Sequence, residues 1–177
     1  TSTKEALRHA LSSVGKVHAS DKSFNNHWGV PLTLARLPQD CDYGIFEIGM
    51  NHAGEIRPLV KMVRPHVAIV TLIAAAHLGH FKNLEEIARA KAEIFEGLEP
   101  GGTALLNRDD LRFKLLERLA KAQGIKKVRG FGENAKAEYR LVSWDATAEG
   151  SAIRARVGAG DIFASIGAPG RHTVQNA

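Results

Sequence analysis

The sequence predicts an α/β fold: a doubly wound, mostly parallel sheet with an antiparallel β extension in the C-terminal third. Three observations predict it. Strand-like apolar runs alternate with segments of helical period from the start of the chain to Ala122, as a parallel sheet with crossover helices requires. Val67 to Ile73 is a nearly continuous β-branched run, the mark of a strand covered on both faces. From Lys126 onward the helical period disappears and short strands follow one another through Gly-containing turns.

The elements follow in order. A helix begins at once, with Ala6, Leu7, Ala10, Leu11 and Val14 on one face, and Ser2 with Glu5 has the spacing of a capping box. Ser20 to Gly29 is a polar loop. After Pro31 a short segment carrying Leu32, Leu34, Ala35 and Leu37 ends at Pro38. Tyr43 to Met50 reads as a strand, and Gly54-Glu55-Ile56 turns into a helical stretch that stops before Pro65. After the strand Val67 to Ile73 comes a helix, Leu84 to Leu98, closed by Pro100-Gly101-Gly102. Thr103 to Leu106 is a further buried strand and Leu111 to Ala122 a further helix. The last third holds strands at Val128 to Phe131, Ala137 to Trp144, Ser151 to Val157 and Ile162 to Ile166. Ile153-Arg154-Ala155-Arg156-Val157 alternates apolar and charged, as a half-exposed antiparallel strand does. Pro169-Gly170-Arg171-His172 opens a final helix from Val174.

Composition narrows the class. The 177 residues, 44% hydrophobic and 24% charged, are those of one globular domain with a real core. No apolar run of about 18 residues is present, and no basic-then-apolar leader, so neither membrane insertion nor secretion is expected. The single Cys41 excludes an internal disulfide and suits a reducing cytosol, so a cytoplasmic location is expected. The net charge of +5 is compatible with phosphate-bearing ligands. Lys121, Lys126, Lys127 and Arg129 gather, but aromatics are only 6% and do not interleave with them, so nucleic acid is not an expected partner.

A few positions invite chemistry. Glu47 stands between Phe46 and Ile48 in an apolar strand, near the carboxyl end where open parallel sheets bind ligands. It reads as a Mg²⁺ ligand, or as a solvated or ion-paired strand residue. His77 follows three alanines beyond another carboxyl end, and a lone histidine is as readily structural. Lys91 fills a gap in the apolar stripe Leu84, Ile87, Ala88, Ile94, Phe95 and Leu98. Either its stem is buried with the amine in water, or the amine is neutral and converted with CO₂ to a metal-binding carbamate. Asn25-Asn26, Asn51-His52 and Asn107-Arg108-Asp109-Asp110 are polar clusters in loops, where Asn and Asp also favour turns.

Together these segments resemble the middle domain of the Mur ligases, in particular the branch that adds D-alanyl-D-alanine. The match is carried by Ser23-Phe24-Asn25-Asn26 with Gly29-Val30-Pro31, and by Phe46-Glu47-Ile48-Gly49-Met50-Asn51-His52 with Gly54-Glu55-Ile56. Arg64-Pro65, Ala74-Ala75-Ala76-His77-Leu78, Ala90-Lys91-Ala92-Glu93-Ile94-Phe95 and Gly170-Arg171-His172 complete it in family order.

The resemblance implies a P-loop type of fold, with ATP and Mg²⁺ as cofactors. It implies that Thr1 is the hydroxyl of a phosphate-binding loop whose glycines and lysine stand just upstream. Thr1 and Glu47 would share one Mg²⁺, and His77 with a carbamylated Lys91 would hold a second. Asn176 would read adenine, with His172 and Asn107 also beside the nucleotide. Asn25, Asn26, Asn51 and His52 would face the nucleotide-sugar peptide and D-Ala-D-Ala substrates. Thr173 and Gly79 depart from residues common in the family, an asparagine and a glutamate. The implied reaction is ATP-dependent amide formation through an acyl phosphate in peptidoglycan synthesis. The resemblance further implies that residues 1–177 are the central ATP-binding domain of a chain whose uridine-nucleotide-binding and C-terminal domains lie outside it, and that this piece alone is inactive. The alternatives are a folate polyglutamate-adding or other Mur-type ligase, or a non-catalytic nucleotide-binding module.

Overall fold

The computed structural model describes residues 1–74 and 80–176. The first helix, α1 (Ser2–Leu11), is followed by β1 (Val17–Ala19), α2 (Gly29–Ala35), β2 (Tyr43–Ile45), α3 (Ile56–Val63) and β3 (Val67–Val70). Helix α4 (Leu84–Lys91) tightens into a 3-10 helix over Ala92–Gly97. Then come β4 (Thr103–Asn107), α5 (Phe113–Ala122), the four strands β5 (Lys127–Gly132), β6 (Tyr139–Thr147), β7 (Gly150–Val157) and β8 (Gly160–Ile166), and α6 (Arg171–Asn176). No helix among the described residues is long and apolar enough to cross a membrane.

The sheet is mixed in the sense expected. Strands β3-β4-β5-β6-β7-β8 form one six-stranded sheet in that order; β3 to β6 run parallel and β6 to β8 are antiparallel. A β-bulge between Leu141 and Ser143 bends β6 within the antiparallel part. The earlier strands depart from one continuous sheet: β1 and β2 pair parallel with each other as a separate two-stranded ladder. Three-residue β1 carries no periodicity long enough to announce itself in the sequence.

The core lies between the parallel strands β3 and β4 and the helices over them. Val60 of α3, Ile87 of α4, Phe95, Ala104 and Leu106 of β4, and Leu116 of α5 belong to one buried cluster. Gly97 shows how closely α3 and the 3-10 helix approach, since a Cβ there would stand 2.5 Å from the Val60 carbonyl oxygen.

Several expectations need correction. Helix α1 has no side-chain cap at its start: Glu5 pairs with Lys4 and Arg8 instead of reaching back. Its apolar face is shallow, because the helix ends at Leu11 and leaves Val14 exposed, and the buried residue of α1 is Lys4. The strand expected over Tyr43 to Met50 keeps a ladder only to Ile45. Beyond it the backbone N–H groups of Glu47 and Gly49 donate to Ser20 Oγ and the Asn25 carbonyl, not to a neighbouring strand. The strand expected to Ile73 stops at Val70, and Ile73 N–H donates to a buried carboxylate of Asp110. Val67, expected to be covered on both faces, is 51% exposed at one end of β3.

Candidate functional site

Glu47 lies just past β2, on the segment whose backbone turns to the Ser20–Asn25 loop for partners. Its carboxylate is held from one side only. Oε1 accepts from Asn25 Nδ2 at 2.9 Å and from the Thr1 hydroxyl at 3.2 Å. Oε2 is buried and accepts no hydrogen bond from any described residue. The Thr1 backbone nitrogen stands 3.5 Å from Oε2, an ion-pair distance that makes no hydrogen bond. A buried carboxylate oxygen without a donor costs about 1–3 kcal/mol, so this atom is poised for a cation or a donor brought by a ligand.

The backbone explains why Asn25 reaches this place. Asn25 N–H donates to the Ser23 carbonyl, and the Asn25 carbonyl accepts from Gly49 N–H at 2.7 Å. Gly49 permits the crossing, because a Cβ there would meet the Asn25 amide at 2.9 Å. Asn26 does other work: its Oδ1 accepts from the N–H groups of Trp28 and Gly29 and closes the turn into α2. Thr1, Asn25 and Glu47 are thus in direct contact, while the Asn26 side-chain oxygen is spent on the backbone.

Asn51 and His52 open the next turn around Glu55. One Glu55 oxygen accepts Asn51 N–H at 2.7 Å and the other lies 3.0 Å from His52 Nδ1; the Asn51 bond first, then His52, holds its pKa below the usual carboxylate range. The His52 ring packs on His80 at 4.4 Å between centroids. Both line a cleft of about 550 Å³ with Arg57, Phe81, Glu86 and Glu93. Buried Glu93 accepts from the N–H groups of Gly54 and Arg57 and so fastens this loop to the 3-10 helix.

Lys91 is the last residue of α4, half-buried, and burial lowers its pKa from the usual lysine value. No ion-pair partner stands beside it among the described residues. Desolvation favours the neutral form of this amine, the form that adds to CO₂. His77 lies outside the described residues, as does Gly79. Among the described residues no three His, Cys, Asp or Glu side chains form a cluster.

The remaining candidates lie on two other elements. Asn107 ends β4 and its Oδ1 accepts Asp109 N–H, a turn role. His172 is exposed and Asn176 half-buried on α6, which packs against α1, the helix that Thr1 precedes. Sequence reasoning passed over Lys4 and Ser20, both buried and both bonded to the loop around Glu47. Lys4 did carry a signal: it falls on the stripe with Leu7 and Leu11, as Lys91 falls on its own.

The chain is similar to known proteins over its whole length. Residues 1–177 match the family described as the Mur ligase middle domain. The chain is 39% identical over 149 residues to UDP-N-acetylmuramoyl-tripeptide–D-alanyl-D-alanine ligase of Rickettsia prowazekii, covering 84% of this chain and 33% of that protein. It is 36% identical over 178 residues to the ligase of the same name in Escherichia coli, covering 100% of this chain and 39% of that protein. A crystal structure of MurF from Acinetobacter baumannii superposes with a TM-score of 0.91 at 32% identity, over 99% of this chain and 38% of that one. The chain therefore spans little more than a third of the length of these proteins.

Proposed function

The chain belongs to the Mur ligase middle-domain family, and from that premise we propose that it is the central ATP-binding domain of a longer cytoplasmic ligase that joins D-Ala-D-Ala to a UDP-MurNAc-tripeptide. The observation that carries the reading is the Glu47 carboxylate, with one oxygen held by Thr1 and Asn25 and the other buried without a donor.

The residues fit a divalent cation. Hard cations take oxygen ligands, and an unpaired carboxylate oxygen next to a threonine hydroxyl is such a donor set. Thr1 and Glu47 would hold one Mg²⁺, and Lys91 as a carbamate, with His77, a second. The metals would supply charge neutralisation on the phosphoryl group. What the chain's own groups contribute is separate. Asn25 Nδ2 fixes the face of Glu47. Burial lowers the Lys91 pKa and so favours the neutral amine, the form that adds to CO₂ with release of one proton to leave an anion. Helix α6 carries His172 and Asn176 toward the nucleotide from its seat on α1, with Asn107 at the end of β4. Asn51 and His52, fixed by Glu55, face the amino-acid substrates, and Asn26 shapes the turn beside them.

In this reading the tripeptide carboxylate attacks the γ-phosphorus of ATP and ADP leaves, giving an acyl phosphate. The amine of D-Ala-D-Ala then attacks the acyl carbon, phosphate leaves, and the nitrogen loses a proton as the amide forms. The test is amine-dependent ADP release by the full-length enzyme. D-Ala-D-Ala supports one ADP per amide formed, and L-glutamate supports none; turnover with glutamate alone would move the protein to the folate polyglutamate-adding type.

A further inference from the structure

Lys4 is the buried side chain of α1, 5% exposed. A lysine Nζ has three N–H donors and no acceptor. All three find partners: the Ser20 carbonyl at 2.6 Å, the Lys22 carbonyl, and Glu5 Oε1 at 3.0 Å. A buried amine satisfied in this way is a fixed point, unlike an exposed lysine that anchors nothing.

What it fixes is the loop beside Glu47. Lys22 sits at φ 47°, a left-handed conformation that a residue with a side chain keeps only where its surroundings hold it. Ser20, 2% exposed, donates its N–H to the Ile45 carbonyl at 3.1 Å and accepts Glu47 N–H on its hydroxyl at 3.3 Å. Further along, Asn25 accepts Gly49 N–H and donates its amide to Glu47 Oε1. The Ser20–Asn25 segment is therefore bonded to the Glu47 segment at both ends, and Lys4 ties it to α1 between them. Thr1, which precedes the same helix, closes the ring on Glu47.

We infer that Lys4 is a positioning residue: it locks the Ser20–Asn25 loop against α1 and so sets the direction in which the free Glu47 oxygen points. The inference rests on the reading of Glu47 as a cation ligand. It goes beyond fold maintenance, because it links a helix side chain with no contact to Glu47 to the carboxylate's orientation, through two carbonyls and one hydroxyl.

The experiment compares Lys4→Met and Lys4→Gln with Glu47→Gln in the full-length enzyme. Mn²⁺ binding in the presence of ADP is followed by calorimetry, amide exchange at Glu47 and Gly49 by NMR or mass spectrometry, and integrity by thermal unfolding. Lys4→Met is expected to weaken Mn²⁺ binding about tenfold, the usual effect of losing a group that orients a ligand. It is also expected to speed exchange at both amides while leaving the KM for D-Ala-D-Ala within about twofold. Lys4→Gln keeps two donors, holds the fold if Lys4→Met does not, and is read by the same measurements. Unchanged Mn²⁺ affinity and unchanged exchange in a folded Lys4 variant, with binding lost in Glu47→Gln, overturn the inference. If Glu47→Gln itself leaves Mn²⁺ affinity intact, the cation reading fails, and the exchange rates at Glu47 and Gly49 still decide whether Lys4 orders that segment.

Discussion

Glu47 matters because its two oxygens are treated so differently: one is fully occupied, the other buried and left without a donor. Replacing it with Gln removes the charge and keeps the shape. In the full-length enzyme Glu47→Gln is expected to lower ADP release by more than about 100-fold, since cation stabilisation of a transferring group is worth several kcal/mol. The melting temperature should hold, because the Gln oxygen can still accept from Asn25 and Thr1 and the unpaired position is no longer charged; steady-state kinetics and scanning calorimetry report both. Lys91 makes a complementary prediction. Its folded pKa lies below its unfolded one, so between the two values the unfolded chain binds more protons and stability rises with pH. Below the lowered value both states are protonated and the burial cost is present in full. Lys91→Met should therefore melt higher at neutral pH and lose that alkaline rise, while full-length activity disappears. Asp110 is buried, with Oδ2 on Ile73 N–H and Oδ1 on Arg112 N–H. Asp110→Ala strands those donors and should cost about 2–4 kcal/mol in urea unfolding, the scale of two buried hydrogen bonds lost.

Between elements, distance of approach and charge pairing decide. Gly97→Ala forces α3 and the 3-10 helix apart against backbone atoms that cannot rotate away, and about 1–3 kcal/mol of stability should go with it by chemical denaturation. In the β7–β8 hairpin, Asp161 is bonded first by Arg156 and then by Arg154, which hold its pKa down to about 2. The hairpin gains from this pairing above the ordinary carboxylate range and loses it as pH falls through that low value. An NMR titration of the Asp161 carboxyl should show its midpoint near 2, moving back toward the usual range in Arg156→Ala. The same elements show what a sequence discloses. Alternating Ile153 to Val157 and β-branched Val67 to Val70 name their strands by residue pattern, although burial alternates in β3 and not in β7, where Arg156 and Val157 are both exposed. Strand β1 stayed hidden because it is three residues long and its ladder partner is the distant β2, and the irregular Phe46–Met50 segment because its backbone bonds to Ser20 and Asn25, some twenty or more positions away. For the same reason Glu47 and Lys91 stood out as misfits in apolar runs, whereas Ser20, ordinary in a polar loop, gave no sign of being buried.

At the scale of the whole molecule, a six-stranded mixed sheet presents its parallel half to three covering helices, and a small parallel pair carries the carboxylate of interest beside it. The likeness to MurF of Acinetobacter baumannii runs over nearly all of this chain, so the fold as a whole is shared with it. The most direct measurement is anomalous diffraction from crystals of the full-length enzyme grown with nucleotide and Mn²⁺. A manganese peak in direct contact with Glu47 Oε2 and the Thr1 hydroxyl is the predicted result. Ordered nucleotide with every manganese peak away from Glu47, its Oε2 still without a partner, would contradict the account.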